Sequence, residues 1–142
     1  MESEKFVYRT DDEEVQEIRF LTPLKLLAEF KIPIRLVSEM NRRDHRMVLH
    51  KRKKSQQLWT TVVFPPHLRG YGKPVSIHLT RIGPRMMDKG NNVASFKHVE
   101  DALADLIFPG LAAGRADQNI NFTWSQHKGK PKEYAVLVQI FE

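Results

Sequence analysis

Val75-Ser-Ile-His-Leu-Thr-Arg81 alternates apolar and polar residues without interruption, and no other run constrains the fold as much. Side chains of a strand point alternately to its two faces, so this period of two predicts a half-buried strand. A strand needs neighbours, and the sequence offers three. Phe30-Lys-Ile-Pro-Ile-Arg-Leu36 alternates apolar and basic residues, with Pro33 marking an edge position or a strand start. Ile120, Phe122 and Trp124 alternate with Asn121 and Thr123, and Tyr134 to Ile140 supplies a closing strand. His127-Lys-Gly-Lys-Pro-Lys132 links these last two, most simply as a hairpin.

Helices fall between the strands. From about Arg42 to Phe64 there is neither Gly nor Pro, and Met47, Leu49, Leu58, Val62 and Val63 give apolar points for a helix. Its end is blurred by the β-branched Trp59-Thr-Thr-Val-Val-Phe64, before a loop from Pro65 to Gly72. Val93, Phe96, Val99, Leu103, Leu106 and Ile107 recur near 3.6-residue spacing until Pro109-Gly110 stops the run. Thr22-Pro23 has the form of an N-cap and first-turn proline, predicting a short helix through Leu26, Leu27 and Phe30. The expected fold is α+β: a mixed four-stranded sheet in the order β-α-β-α-β-β with helices packed on it, plus an N-terminal helical extension. Residues 1–29 form the acidic arm with its short helix and residues 30–142 the main domain.

Charge is segregated along the chain. Residues 1–20 hold seven acids against three bases, a net −4, so the remainder carries +10 of the overall +6. Arg42, Arg43, Arg46, Lys51, Arg52, Lys53 and Lys54 stand against only Asp44 between residues 41 and 54, a local +6. Such a cluster suits a polyanion, because each phosphate neutralised releases condensed counterions. An ordinary solvated helix face has the same composition. The acidic Asp11-Asp-Glu-Glu-Val-Gln-Glu17 is read as a solvated helix start rather than a regulatory arm.

Several chemistries are excluded. With no cysteine the chain has no disulfide, thiolate metal site or cysteine nucleophile. Six scattered histidines lack zinc spacing, and the glycines form no phosphate-binding loop. No apolar run reaches the roughly 20 residues of a bilayer span, and the opening Met1-Glu-Ser-Glu-Lys5 lacks a signal-peptide pattern, so a cytoplasmic protein without a membrane partner is expected. Trp59 and Trp124 are expected to be core or interface aromatics.

Pro84-Arg-Met-Met-Asp-Lys-Gly-Asn91, followed by Phe96-Lys-His-Val-Glu-Asp-Ala-Leu-Ala-Asp105, resembles the signature of the RusA-like Holliday junction resolvases. In that family an arginine-rich turn, an Asp-x-Asp-Asn motif and a helix bearing lysine and then aspartate follow a strand. The resemblance spans about residues 30–142. It implies a homodimer that binds four-way DNA junctions and nicks them with Mg²⁺, a hard cation held by carboxylate oxygens. Carried over by residue, it implies Asp88, Lys97, Asp101 and Asp117 as catalytic and Asp88 and Asn91 as metal ligands. Arg42, Arg43, Arg46, Lys51, Arg52, Lys53, Lys54 and Arg85 are assigned to DNA.

Two ligand positions depart from the pattern. Gly90 stands where the second aspartate belongs, and the later aspartate pair falls near Gly114-Arg115, with Asp117 close by. The expectation is therefore a junction-binding protein whose Mg²⁺ site is weak or absent and whose nicking is lost or reduced. The first alternative is an active structure-selective endonuclease completed by Asp117, Asp101 or Glu100. A second is a non-catalytic protein-binding or regulatory domain, with residues 1–20 contacting a protein partner or covering the basic helix.

Overall fold

A computed structural model describes residues 5–9, 15–19, 24–39, 43–111 and 116–142, with backbone alone for 5–9, 15–19, 116 and 117. Strands β1 (Lys5–Arg9) and β2 (Val15–Arg19) pair antiparallel. The helix start expected over residues 11–17 is thus a strand from Val15 onward, while Asp11 to Glu14 lie outside the described residues. Strand β3 (Leu26–Ile32) is followed by α1 (Arg46–Val63), β4 (Val75–Gly83), α2 (Lys89–Ser95), α3 (Lys97–Ile107), β5 (Ile120–Lys128) and β6 (Ala135–Phe141). From β3 onward this is the predicted β-α-β-α-β-β order in a mixed four-stranded sheet, with the second helix split at Phe96.

Where the short helix is expected to run through Leu26, Leu27 and Phe30 the chain forms strand β3, so the sheet begins inside the segment assigned to the arm, while Thr22 and Pro23 lie outside the described residues. Its register on β6 shifts between Leu26 and Ala28, so the Leu26-Leu27 doublet that mimicked helical spacing is a β-bulge. β3 ends where Pro33 removes a ladder donor, so the proline closes an edge strand rather than opening one. Burial nevertheless continues at period two through Ile32, Ile34 and Leu36, because the backbone stays extended past the last ladder bond.

The sheet order is β3-β6-β4-β5, with β4 parallel to β5 and antiparallel to β6. The predicted hairpin between the last two strands is therefore absent: each pairs with β4, and residues 129–134 cross its end. Gly129 N–H donates to the Gly83 carbonyl at that crossing (2.8 Å). A Cβ on Gly129 would lie 3.0 Å from Ile82 Cγ2 and closer still to the Glu133 carboxylate, so glycine lets the crossover pass close to both side chains. Flanked on both sides, β4 is buried on both faces instead of half-buried. Ile77 and Leu79 enter the core with Phe96, Val99, Leu103 and Ile107 from the α2–α3 segment and Val136, Val138 and Ile140 from β6. On the other face His78 lies against Thr123 Oγ1 (2.6 Å) and Ser125 Oγ (2.9 Å), and burial pushes its imidazole down to about 4.

Candidate functional site

Helix α1 opens at His45, whose ring accepts from Met47 N–H (3.1 Å), and carries three stripes set by its 3.6-residue period. The inward stripe is Arg52, Gln56, Thr60 and Val63, polar for most of its length. Arg46, His50, Lys53 and Gln57 follow one flank, with Lys54 beside them. Met47, Val48, Leu58 and Val62 form an exposed apolar stripe on the other, interrupted by Lys51 and edged by Trp59. Arg43, Arg46, Lys51, Lys53 and Lys54 are all exposed and have no carboxylate partner among the described residues, whereas Arg42 lies outside them.

Arg52 departs from its DNA assignment. Its guanidinium donates to both oxygens of Glu39 (2.8 Å each) and to Asp44 (2.9 Å), with its side chain only 14% exposed. A bidentate pair is among the stronger interactions available to arginine, so this charge is spent inside the chain. The Glu39 hydrogen bond raises the arginine pKa most, against burial, and keeps the group protonated. His98 on α3 lies 3.8 Å from the same Glu39 carboxylate. Burial lowers its pKa first, Glu39 and Asp101 oppose that, and Lys53 and Arg52 reinforce it.

Asp88 caps α2: its Oδ1 accepts from Asn91 N–H (2.9 Å) and its Oδ2 from Asn91 Nδ2 (2.6 Å). Asn91 Oδ1 accepts from Ser38 Oγ (2.6 Å), so the paired metal ligands face one another through an N–H rather than through two oxygens. Lys97 and Asp101 form an exposed pair one turn apart on α3 (3.2 Å). Asp117 begins a 3₁₀ turn with Ala116 ahead of β5, its side chain outside the described residues like all of Gly114 and Arg115. Among the described residues no three His, Asp or Glu side chains gather to hold a metal ion. The donor set at Asp88, one carboxylate already accepting two N–H groups, does not fit Mg²⁺, which demands several oxygens in near-octahedral array.

Beside this turn a cleft of about 410 Å³ opens at the carboxyl ends of β3 and β4, lined by Arg35, Ser38, Arg81, Arg85, Met87 and Tyr134 among others. Arg81 is 6% exposed, and its Nη1 donates to the Arg85 carbonyl (2.8 Å) and, more distantly, to Gln126 Oε1 (3.4 Å). Arg35 lies over the Tyr134 ring, 4.8 Å from its centroid. Among the described residues no carboxylate pairs with Arg35, Arg81 or Arg85.

No family model, curated protein or solved structure matches this chain.

Ser38 and Glu39, adjacent in sequence, join the candidate elements. One reaches Asn91 of the Asp88 turn and the other reaches Arg52 of α1 and His98 of α3, so a single short segment contacts the turn and both helices. Sequence reasoning missed Glu39, Arg35, Arg81 and Tyr134. Arg81 alone left a signal, standing on the apolar phase set by Val75, Ile77 and Leu79. Both tryptophans are exposed rather than core residues, Trp59 at 43% and Trp124 at 38%, with Trp124 Nε1–H donating to Glu100 (2.7 Å). No helix among the described residues is long and apolar enough to cross a membrane.

Proposed function

We propose that this chain binds branched DNA, four-way junctions above all, as a cytoplasmic RusA-like homologue whose Mg²⁺-dependent nicking is lost or severely weakened. The observation that carries the reading is that the adjacent residues Ser38 and Glu39 tie the Asp88–Asn91 turn and the helix that bears the cationic flank to one short segment. Five exposed basic residues on and just before α1, with Arg85 near the turn, give a sequence-independent grip on phosphates. The apolar stripe of Met47, Val48, Leu58 and Val62 beside that flank gives the proposed homodimer a surface for a second copy.

Weak nicking follows from the donor set. An amide N–H points at Asp88 where a second oxygen ligand is required, and Gly90 brings no carboxylate to the turn.

Labelled four-way junctions incubated with the protein and Mg²⁺ or Mn²⁺ test both parts. The expected outcome is binding tighter to junctions than to linear duplex of the same composition, without paired nicks. Efficient nicking abolished by Asp88→Asn would overturn the loss of catalysis, and equal affinity for duplex would overturn junction preference. Neutralising Lys51, Lys53 and Lys54 should lower the salt slope of binding by about 0.9 for each phosphate contact removed. An unchanged slope removes them from the interface.

A further inference from the structure

The arginine-lined cleft holds a cation that the described part of the chain does not neutralise. Arg81 is almost fully enclosed, yet its named acceptors are a backbone carbonyl and a side-chain amide, both neutral. Burying a charge is expensive unless an opposite charge answers it. The guanidinium is also held in place. Gln126, fully buried, accepts from Met87 N–H (2.9 Å) and donates to the Met87 carbonyl (2.5 Å), tying the 85–87 turn to β5. Gly83 leaves the room this requires, since a Cβ there would stand 2.9 Å from Arg81 Nη2.

Arg35 and Arg85 line the same cleft, so three arginines border it without a carboxylate partner among the described residues. Guanidinium forks match the oxygens of carboxylate and phosphate, and three of them suit a dianion with three terminal oxygens better than a diester with two. The volume, about 410 Å³, lies in the range of small-molecule sites.

We propose that this cleft is a binding site for a phosphate monoester, held by Arg35, Arg81 and Arg85. Two sources share that chemistry: the phosphorylated end of a nucleic-acid strand, and free phosphate or a mononucleotide. The site needs no residue of α1, so it stands whether or not the junction reading holds.

Thermal unfolding of the full chain, titrated with inorganic phosphate against chloride at matched ionic strength, tests it. Phosphate should raise the midpoint of the wild type and of a Lys51→Gln, Lys53→Gln, Lys54→Gln chain alike, as for any ligand that binds only the folded state. Arg35→Gln and Arg81→Met should each weaken the apparent affinity on the order of tenfold, the loss of one charge-assisted pair. Should Arg81→Met fail to fold, the exposed Arg35 decides the matter. No rise beyond chloride, or a rise unaltered in Arg35→Gln, overturns the proposal.

Oligonucleotides of one sequence with 5′-phosphate or 5′-hydroxyl ends then separate the sources. Preference for the phosphorylated strand, lost in Arg35→Gln, assigns a strand end. Equal binding of the two, with the response to inorganic phosphate intact, assigns the free anion. A chain that fails to bind junctions yet keeps the phosphate response refutes the junction reading alone.

Discussion

Arg52 and Arg81 are both enclosed arginines, and they are answered in opposite ways. Arg52, on α1, meets two carboxylates at 2.8 and 2.9 Å, so its charge ties Glu39 and Asp44 to the helix and is unavailable to a ligand. Arg81, at the end of β4, is buried more deeply and meets only neutral acceptors. The lesson concerns how basic residues are counted. A cation inside a positive run is no candidate for phosphate when its partners are already in the chain, and one outside the run becomes a candidate when they are not.

The largest expected effect breaks the first of these. Glu39→Ala removes the bidentate partner and leaves Arg52 half-paired under cover, which should cost about 3 kcal/mol of stability. Denaturant midpoints measure this, and a loss below about 0.5 kcal/mol would class Arg52 with exposed cations. Next, Arg81→Met should do the reverse in phosphate-free buffer. Replacing an uncompensated buried charge by an apolar side chain of similar length is neutral or stabilising, here by about 1 kcal/mol. A loss of about 2 kcal/mol or more would mean that its neutral acceptors satisfy it, and the contrast with Arg52 would disappear.

Much of the sheet was legible because its signal is local. Alternation from Val75 marked β4, and Ile32, Ile34 and Leu36 are buried at the predicted phase although the ladder stops at Ile32. Pairing was not legible. That β5 runs parallel to β4, with β6 inserted on the other side, depends on contacts distant in sequence, and a short linker favours the hairpin that does not form. The half-buried face predicted for β4 failed for the same reason, since burial of both faces follows from its neighbours. At the site, the basic run was read as a sum of charges. Which member is neutralised depends on Glu39 and Asp44, whose carboxylates both meet the Arg52 guanidinium, a pairing that a count of charges does not show.

His98 sharpens the comparison from beside the Arg52 pair. Its pKa lies below 6.5 mainly through burial, with Glu39 only partly opposing. A histidine with a depressed folded value binds protons more readily when unfolded, so its contribution is complete above 6.5 and is lost as pH falls below it. His98→Gln should therefore flatten the decline of stability on acidification, read from denaturant midpoints across that range. In Glu39→Gln the imidazole should titrate lower still by NMR, whereas a folded value above 6.5 in the wild type would show a Glu39 charge free to act on it.

The smallest expected effect belongs to Lys97 and Asp101, the pair the resemblance marks as catalytic. Both side chains are substantially exposed, at 64% and 37%, and they meet at one-turn spacing. Solvent screens such a pair, so Lys97→Gln or Asp101→Asn should change stability by about 0.3 kcal/mol. Under the junction-binding reading Lys97→Gln also leaves junction affinity within about twofold, because one exposed cation contributes a single phosphate contact at most. Lys97 therefore separates the two accounts of this site cleanly. If Lys97→Gln abolished a nicking activity while stability and affinity stayed at wild-type levels, the ammonium would be acting on the scissile phosphate, and its contact with Asp101 would be a resting arrangement of a working enzyme.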